Sequence, residues 1–240
     1  MTRESPWLTR PGSTRVHRWV PAAAAAGRIE DVVDLVVPVK NLDRAKSRLR
    51  GAVPGGADAH RDLVLAVVLD TVTAALAASV VRRLLVVCED ARVVAALAGT
   101  GAEVVDERGL PGLNAALEFG ARALRQADPG AVVGAMQADL PALRPEDLDA
   151  AVAEAQGRRA FVADRPGTGT TLLLGAPGAP LHPRFGPGSA AAHGTGAVRV
   201  GDRLAHLRCD VDTPGDLRLA ADLGLGARTA RLAGATCRVR

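Results

Sequence analysis

From residue 33 to residue 223, apolar runs of strand length alternate with segments of helical spacing. Residues 33–39 are short, apolar and β-branched, as a buried strand requires, and the polar stretch 40–49 follows directly. Residues 51–58 read as a Gly/Pro turn region, and within 61–78 Leu63, Val67, Leu69 or Asp70, and Ala74 recur with helical spacing. Strands at 84–88 and 102–105 flank a helix at 91–98, and the loop 106–114 leads into a helix at 115–126. The apolar run beginning at Ala131 ends abruptly at Asp139, after which Pro141 bars further sheet pairing. Pro145-Glu-Asp then opens a helix over 145–156, and a strand is expected at 160–164. Beyond it the pattern changes. A loop at 165–171 precedes a short strand at 172–174, and a Gly/Pro-rich run passes through Phe185-Gly-Pro-Gly-Ser189 to His193. Strands near 197–200 and 204–209 lead to Asp210-Val-Asp212-Thr-Pro214 and a last helix.

This alternation predicts an α/β fold, Rossmann-like, with a mainly parallel sheet and helices on both faces. It places one domain at 31–225, between a Pro-, Ala- and Arg-rich extension at 1–30, expected to be flexible, and a basic tail at 226–240. Asp139 then lies outside the carboxyl end of a strand, where open α/β sheets hold their ligands.

Composition narrows the classes. No apolar run reaches the length of a membrane span. Three cysteines, Cys88, Cys209 and Cys237, share no CxxC spacing, which reads as a reduced, cytoplasmic compartment. The net charge of +4 is carried by the ends: +3 in 1–30 and +4 in 226–240, leaving −3 in the body. A slightly acidic body, in a chain with no Tyr, two Trp and three Phe, argues against nucleic acid as a partner. An anionic ligand therefore needs local help from a metal, helix N-termini or placed cations. Only two of the 30 cationic residues are lysine, Lys40 and Lys46, and both fall in one seven-residue window. A compact ammonium is not interchangeable with a guanidinium, so this window is a candidate anion site.

Several signatures are absent: Walker A, GxGxxG after a strand, HExxH, GxSxG and any clustered Cys/His set. Four features remain, each with a plain structural alternative. Lys40, Lys46 and Arg48 follow the first strand and suit triphosphate oxygens, or form a solvated basic turn. Gly112-Leu-Asn114 opens a helix, where Asn114 meets a nucleoside or caps the helix. Gly167–Thr171 and Gly186–Ser189 offer unhindered backbone N–H groups and hydroxyls, or are simply loops. Asp212 is a second strand-end carboxylate, or an N-cap ahead of Pro214. Together, two distant carboxylates at strand ends suit one divalent cation with oxygen ligands, Mg²⁺ above all.

Val37-Pro-Val-Lys40-Asn-Leu-Asp-Arg-Ala-Lys46-Ser-Arg48-Leu49, Gly112-Leu-Asn114, Ala138-Asp139-Leu-Pro141, Gly167-Thr-Gly-Thr170, Phe185-Gly-Pro-Gly-Ser189 and Asp210-Val-Asp212-Thr-Pro214 occur together and in order. This ordered set resembles the 2-phospho-L-lactate / phosphoenolpyruvate guanylyltransferase family (CofC/FbiD) of coenzyme F-420 biosynthesis, over about residues 33–223. The resemblance implies a nucleotidyltransferase sheet of the GT-A-like kind. It implies that Lys40 and Lys46, with Arg48, hold the phosphates of GTP, and that Asn114 lies near the nucleoside. Asp139 would ligate Mg²⁺, with Asp212 favoured over Asp210 as second ligand. Thr171, Gly186 and Ser189 would bind the carboxylate end of the three-carbon acceptor, and Lys40, Lys46 and Asp139 would be the catalytic set.

The reaction expected on this basis is attack of the acceptor phosphate on the α-phosphorus of GTP with release of pyrophosphate. A phosphate monoester is mostly dianionic at pH 7, which fits the absence of a general-base constellation. The Arg-rich, Lys-poor composition resembles actinobacterial members, and phosphoenolpyruvate is the expected acceptor, with 2-phospho-L-lactate as alternative. Rival readings are a nucleotidyltransferase for a sugar phosphate or molybdopterin, a glycosyltransferase (which Gln137-Ala138 before Asp139 disfavours, since a DxD is missing), and a non-catalytic GTP-binding subunit. The sequence leaves open whether the chain is a monomer or a homodimer.

Overall fold

The computed structural model describes residues 32–106 and 109–234. The extension at 1–30, the last residues of the tail and Cys237 lie outside them, whereas Cys88 and Cys209 are buried thiols. Among the described residues, seven strands form one sheet in the order β3-β2-β1-β4-β6-β5-β7. They are β1 (Val33–Pro38), β2 (Val81–Val87), β3 (Glu103–Val105), β4 (Val133–Met136), β5 (Ala160–Ala163), β6 (Thr170–Leu174) and β7 (Val198–Arg199). All pairings are parallel except those of β6, which runs antiparallel to both β4 and β5. The chain builds outward from β1 through β2 to β3, then returns to the other side of β1 for β4. That reversal opens a crevice at the carboxyl ends of β1 and β4.

Successive residues of β1 serve opposite layers, as the period of two demands. Leu35 and Val37 join Val64, Val68 and Val72 of α1 (Gly56–Ala77) and Leu148 and Val152 of α4 (Pro145–Ala155). Val36 instead meets Leu117, Ala121 and Leu124 of α3 (Leu113–Ala127). A Cβ on Gly120 would lie 2.6 Å from Val36 Cγ1, so glycine is what lets α3 sit this close to the sheet. At the opposite end of β1, Asp34 is fully buried and accepts from Arg82 Nε and Nη2 at 2.8 and 2.7 Å, in the two-pronged geometry that suits a buried carboxylate.

Four expectations need correction. Residues 204–209 do not form a strand. Leu207 and Cys209 are buried by packing, while Arg208 donates to the carbonyls of Ala163, Asp164 and Asp202, so side chain-to-backbone bonds replace sheet pairing. The Gly/Pro-rich run contains a helix, α5 (Ser189–Gly194), where Ser-Ala-Ala-Ala gives a turn too short for periodicity to show. Helix α1 starts at Gly56, inside the expected turn region. Finally, residues 227–234, expected as tail, form α7 (Ala227–Gly234) packed on α1. Asp70 of α1 accepts from Arg228 N and Thr229 N at 3.3 and 2.7 Å and so satisfies the first turn of α7 from another helix.

Candidate active site

Lys46 organises the crevice. The chain leaves β1 at Pro38, passes exposed Lys40 and reaches Lys46 in the left-handed region, at φ 51° and ψ 44°. Three long-range contacts hold this loop. Asp90, the N-cap of α2 (Ala91–Leu97), accepts from Arg92 N and Val93 N with one oxygen and from Leu42 N, at 2.9 Å, with the other. His60 Nε2 donates to the Ala45 carbonyl at 3.1 Å, and Leu49 is buried against Leu63, Val67 and Val211. The Lys46 ammonium thereby lies between Asp139 and Asp212, bonded to both.

Both carboxylates are placed by backbone contacts. Leu140 N, next to Asp139, donates to Thr71 Oγ1 of α1 at 3.0 Å, and Val211 N donates to the Asp139 carbonyl at 3.0 Å. Val211 is fully buried, and Asp210 and Asp212 flank it, with Asp212 in the cavity wall. Thr213, not Asp212, is the N-cap of α6 (Pro214–Leu223), in a capping box with Asp216. Asp212 is therefore left to Lys46 and to Arg48, whose Nη2 lies 3.2 Å away.

The electrostatics follow from three carboxylates meeting one buried lysine. Burial opposes the charged form of Lys46, but the charges of Asp139 and Asp212 and the hydrogen bonds to them overcome it and hold the ammonium above its ordinary pKa. Burial likewise works against ionised Asp212, and the Lys46 charge and hydrogen bond, with Arg48, outweigh it and lower the carboxyl. At Asp210 burial, reinforced by the charge on Asp139, pushes the carboxyl up to about 7; the Lys46 charge also favours ionisation but is outweighed.

Lys40, Lys46, Arg48, Asp139 and Asp212 line one cavity of about 280 Å³. Asn114, Thr171, Gly186 and Ser189 do not; the cavity reaches only Leu113, the residue before Asn114. The second group is nevertheless joined to the first through the sheet. Because β6 is antiparallel, its beginning lies beside the end of β4, and Gln137 N donates to the Thr171 carbonyl at 2.9 Å. Ser189 is buried at the start of α5, and its N–H donates to the Gly186 carbonyl at 3.1 Å.

His193 stiffens this side. Arg184 N can only donate, so His193 Nε2 accepts from it at 2.9 Å and Nδ1–H donates to Thr170 Oγ1 at 2.8 Å. Burial first, then the Arg159 and Arg184 charges, bring the pKa of this neutral imidazole down to about 4. The unfolded chain takes up that proton near pH 6.5, so stability is full above pH 6.5 and falls as the pH drops toward 4. We expect a loss of about 2 kcal/mol from this group between pH 7 and pH 5. Chemical denaturation at both pH values checks it: in His193→Gln the difference should shrink by about that amount, and an unchanged difference assigns the loss to other groups.

The donor set suits a hard divalent cation. Asp139 Oδ1 is buried without a hydrogen-bond partner among the described residues, and the carboxylates of Asp139 and Asp212, from different segments, converge on Lys46. Among the described residues no group of three His, Cys, Asp or Glu side chains is arranged to hold a metal ion. Mg²⁺ takes one or two carboxylates and completes its octahedron with water and substrate phosphates, so the Asp139 and Asp212 carboxylates would fit it.

Asp90, Thr71 and His60 escape a sequence reading. Asp90 carries a signal as an N-cap before Ala-Arg-Val-Val, but nothing local reveals that its second oxygen holds Leu42.

A crevice at the sheet's point of reversal, with a lysine loop after β1 and a carboxylate after β4, is the arrangement of an α/β nucleotidyltransferase. Solved structures share this fold. A candidate nucleotide-diphospho-sugar transferase from Desulfovibrio desulfuricans superposes with a TM-score of 0.63 at 18% identity, covering 85% of this chain and 95% of that one. A nucleotidyl transferase from Methanothermobacter gives 0.54 at 21% identity, covering 80% and 98%. The family model described as guanylyl transferase CofC like matches residues 33–218, and the chain belongs to that family. Among its relatives, the phosphoenolpyruvate guanylyltransferase of Thermomonospora curvata is 50% identical over 202 residues, covering 83% of this chain and 87% of the relative. The enzyme of the same name from Streptomyces coelicolor is also 50% identical over 202 residues, covering 83% and 94%.

Proposed function

We propose that this chain transfers GMP from GTP to phosphoenolpyruvate, with release of pyrophosphate, in coenzyme F-420 biosynthesis. The observation that carries the reading is the meeting of Lys46, Asp139 and Asp212, from three separate segments, in the cavity that Lys40 and Arg48 also line. Relatives at about half identity bear the name of this activity.

An oxygen of the acceptor phosphate attacks the α-phosphorus. The new O–P bond forms as the bond to pyrophosphate breaks, and the negative charge leaves with pyrophosphate. The dianionic acceptor needs no base, so the protein's task is positioning and charge neutralisation. Lys40, Lys46 and Arg48 hold the phosphates. Asp139 and Asp212 would hold Mg²⁺, which when bound neutralises phosphate charge. Thr171, Gly186 and Ser189 receive the carboxylate end of the acceptor at the neighbouring strand.

The test is pyrophosphate release and product mass with GTP and Mg²⁺, comparing phosphoenolpyruvate, 2-phospho-L-lactate and no acceptor. Acceptor-dependent pyrophosphate with a GMP–phosphoenolpyruvate adduct supports the proposal. A faster reaction with 2-phospho-L-lactate reassigns the acceptor, and no adduct from folded protein overturns the reading.

Asp90 supplies a further prediction. Asp90→Ala removes the α2 cap and leaves the buried Leu42 N–H without its partner, so stability falls by about 2 kcal/mol. The lysine loop also loses a clamp, and the KM for GTP rises about tenfold. A lower melting temperature with an unchanged KM would confine Asp90 to a structural role.

A further inference from the structure

We propose that Asn114 is a positioning residue that couples the two halves of the site, fixing the acceptor loop 185–189 from the helix that borders the nucleotide cavity. The inference rests on reading 185–189 as the acceptor loop.

Asn114 is the second residue of α3, directly after Leu113 in the cavity wall. Its side chain meets the backbone of a single residue 71 positions away. Nδ2 donates to the Phe185 carbonyl at 2.9 Å, and Phe185 N donates to Oδ1 at 2.8 Å. This is the pair of bonds a neighbouring strand would offer, made by one planar amide that carries a donor and an acceptor side by side. Aspartate would keep the acceptor and lose the donor; alanine would lose both.

Within the segment it holds, Ser189 N–H donates to the Gly186 carbonyl. Gly186 and Gly188 stand at φ +132° and +74°, on either side of Pro187. The approach to the loop is fastened by side chains in place of sheet pairing. Arg159, ahead of β5, donates to the carbonyls of Leu181 and His182; His193 of α5 accepts from Arg184 N; Asn114 takes both backbone groups of Phe185. Phe185 is 6% exposed, with its ring edge-on to His193 at 5.2 Å between centroids. Of these ties, Arg159 and His193 belong to the acceptor side, whereas Asn114 comes from the nucleotide side. A displacement of the first turn of α3 is therefore transmitted to Phe185 and on to Gly186 and Ser189.

The role differs from direct contact with the nucleoside, and the two separate experimentally. In Asn114→Ala, the KM for phosphoenolpyruvate should rise about tenfold or more, while the dissociation constant for GTP, measured by calorimetry without acceptor, stays within roughly twofold. Backbone amide exchange at Phe185, followed by mass spectrometry in the full-length chain, should accelerate at least about tenfold as its acceptor is lost. Asn114→Asp, which retains the oxygen facing Phe185 N–H, should show the same split at smaller amplitude and serves if the alanine variant fails to fold. A GTP dissociation constant that weakens as much as the acceptor KM overturns the proposal in favour of a nucleoside contact. A lower kcat with both KM values unchanged overturns it in favour of a general structural role. If the wild-type chain forms no adduct with either acid, the functional reading falls and the acceptor role with it. Unaltered exchange at Phe185, by contrast, removes the clasp alone.

Discussion

Asp139→Asn should lower turnover by about three orders of magnitude while leaving the melting temperature unchanged or raised. Asp139 is 9% exposed, and among the described residues one of its oxygens is buried without a partner and the other is bonded to Lys46 alone. An amide of the same shape keeps an oxygen for Lys46 and leaves the backbone bonds at Leu140 and Val211 intact. It also removes one of the charges that push Asp210 up to about 7, so the fold is relieved of like-charge repulsion. On the proposed reading, what it loses is an anionic ligand for Mg²⁺. Stability bought at the expense of activity is the usual mark of a strained functional cluster. Adduct formation followed by mass spectrometry, with a thermal melt on the same preparation, checks both halves. Activity within tenfold of wild type would remove Asp139 from the metal site.

Lys46→Met should cost both activity and stability. The replacement preserves length and apolar stem but leaves Asp139 and Asp212 facing each other without their shared cation. Breaking a buried pair is costly because the surviving charge is stranded; with Asp212 partly exposed we expect a loss of about 2–3 kcal/mol. Arg48 does not compensate, since its side chain is 72% exposed and, among the described residues, pairs with Asp212 alone. Turnover should fall at least a hundredfold, as a positioned charge on the phosphates disappears. Millimolar Mg²⁺ should raise the melting temperature of Lys46→Met more than that of wild type, because the ion can enter where the ammonium stood. An equal response in both proteins would separate Lys46 from the metal ligands.

The two predictions concern residues that could be found before any coordinates. A carboxylate that ends an apolar run, and two lysines that alone survive in an arginine-rich chain, are local signals, and the alternation of elements places both at one sheet edge. Asp212 was ambiguous for a local reason as well: Asp-Thr-Pro admits either residue as the cap, and only the bond between Thr213 and Asp216 frees the aspartate. The supports were not legible. Asp90 to Leu42, Thr71 to Leu140 and Asn114 to Phe185 span 48, 69 and 71 residues, and each joins a side chain to a backbone group whose own sequence carries no mark of it. The false strand at 204–209 has the converse origin, because burial of Leu207 and Cys209 imitates sheet alternation while Arg208 takes the neighbouring carbonyls.

The reversed direction of β6 has an architectural consequence. On the proposed reading the nucleotide side includes Lys40, Lys46, Arg48 and Asp139, which follow the ends of parallel strands β1 and β4, whereas Thr171 stands at the beginning of a strand in the β5–β6 hairpin. On that reading, donor and acceptor recognition reside in two modules that differ in polarity and meet at Gln137 against Thr171 and at Asn114 against Phe185. The acceptor side, so read, is a hairpin and its following loop, separate in the chain from the segments that carry the nucleotide side.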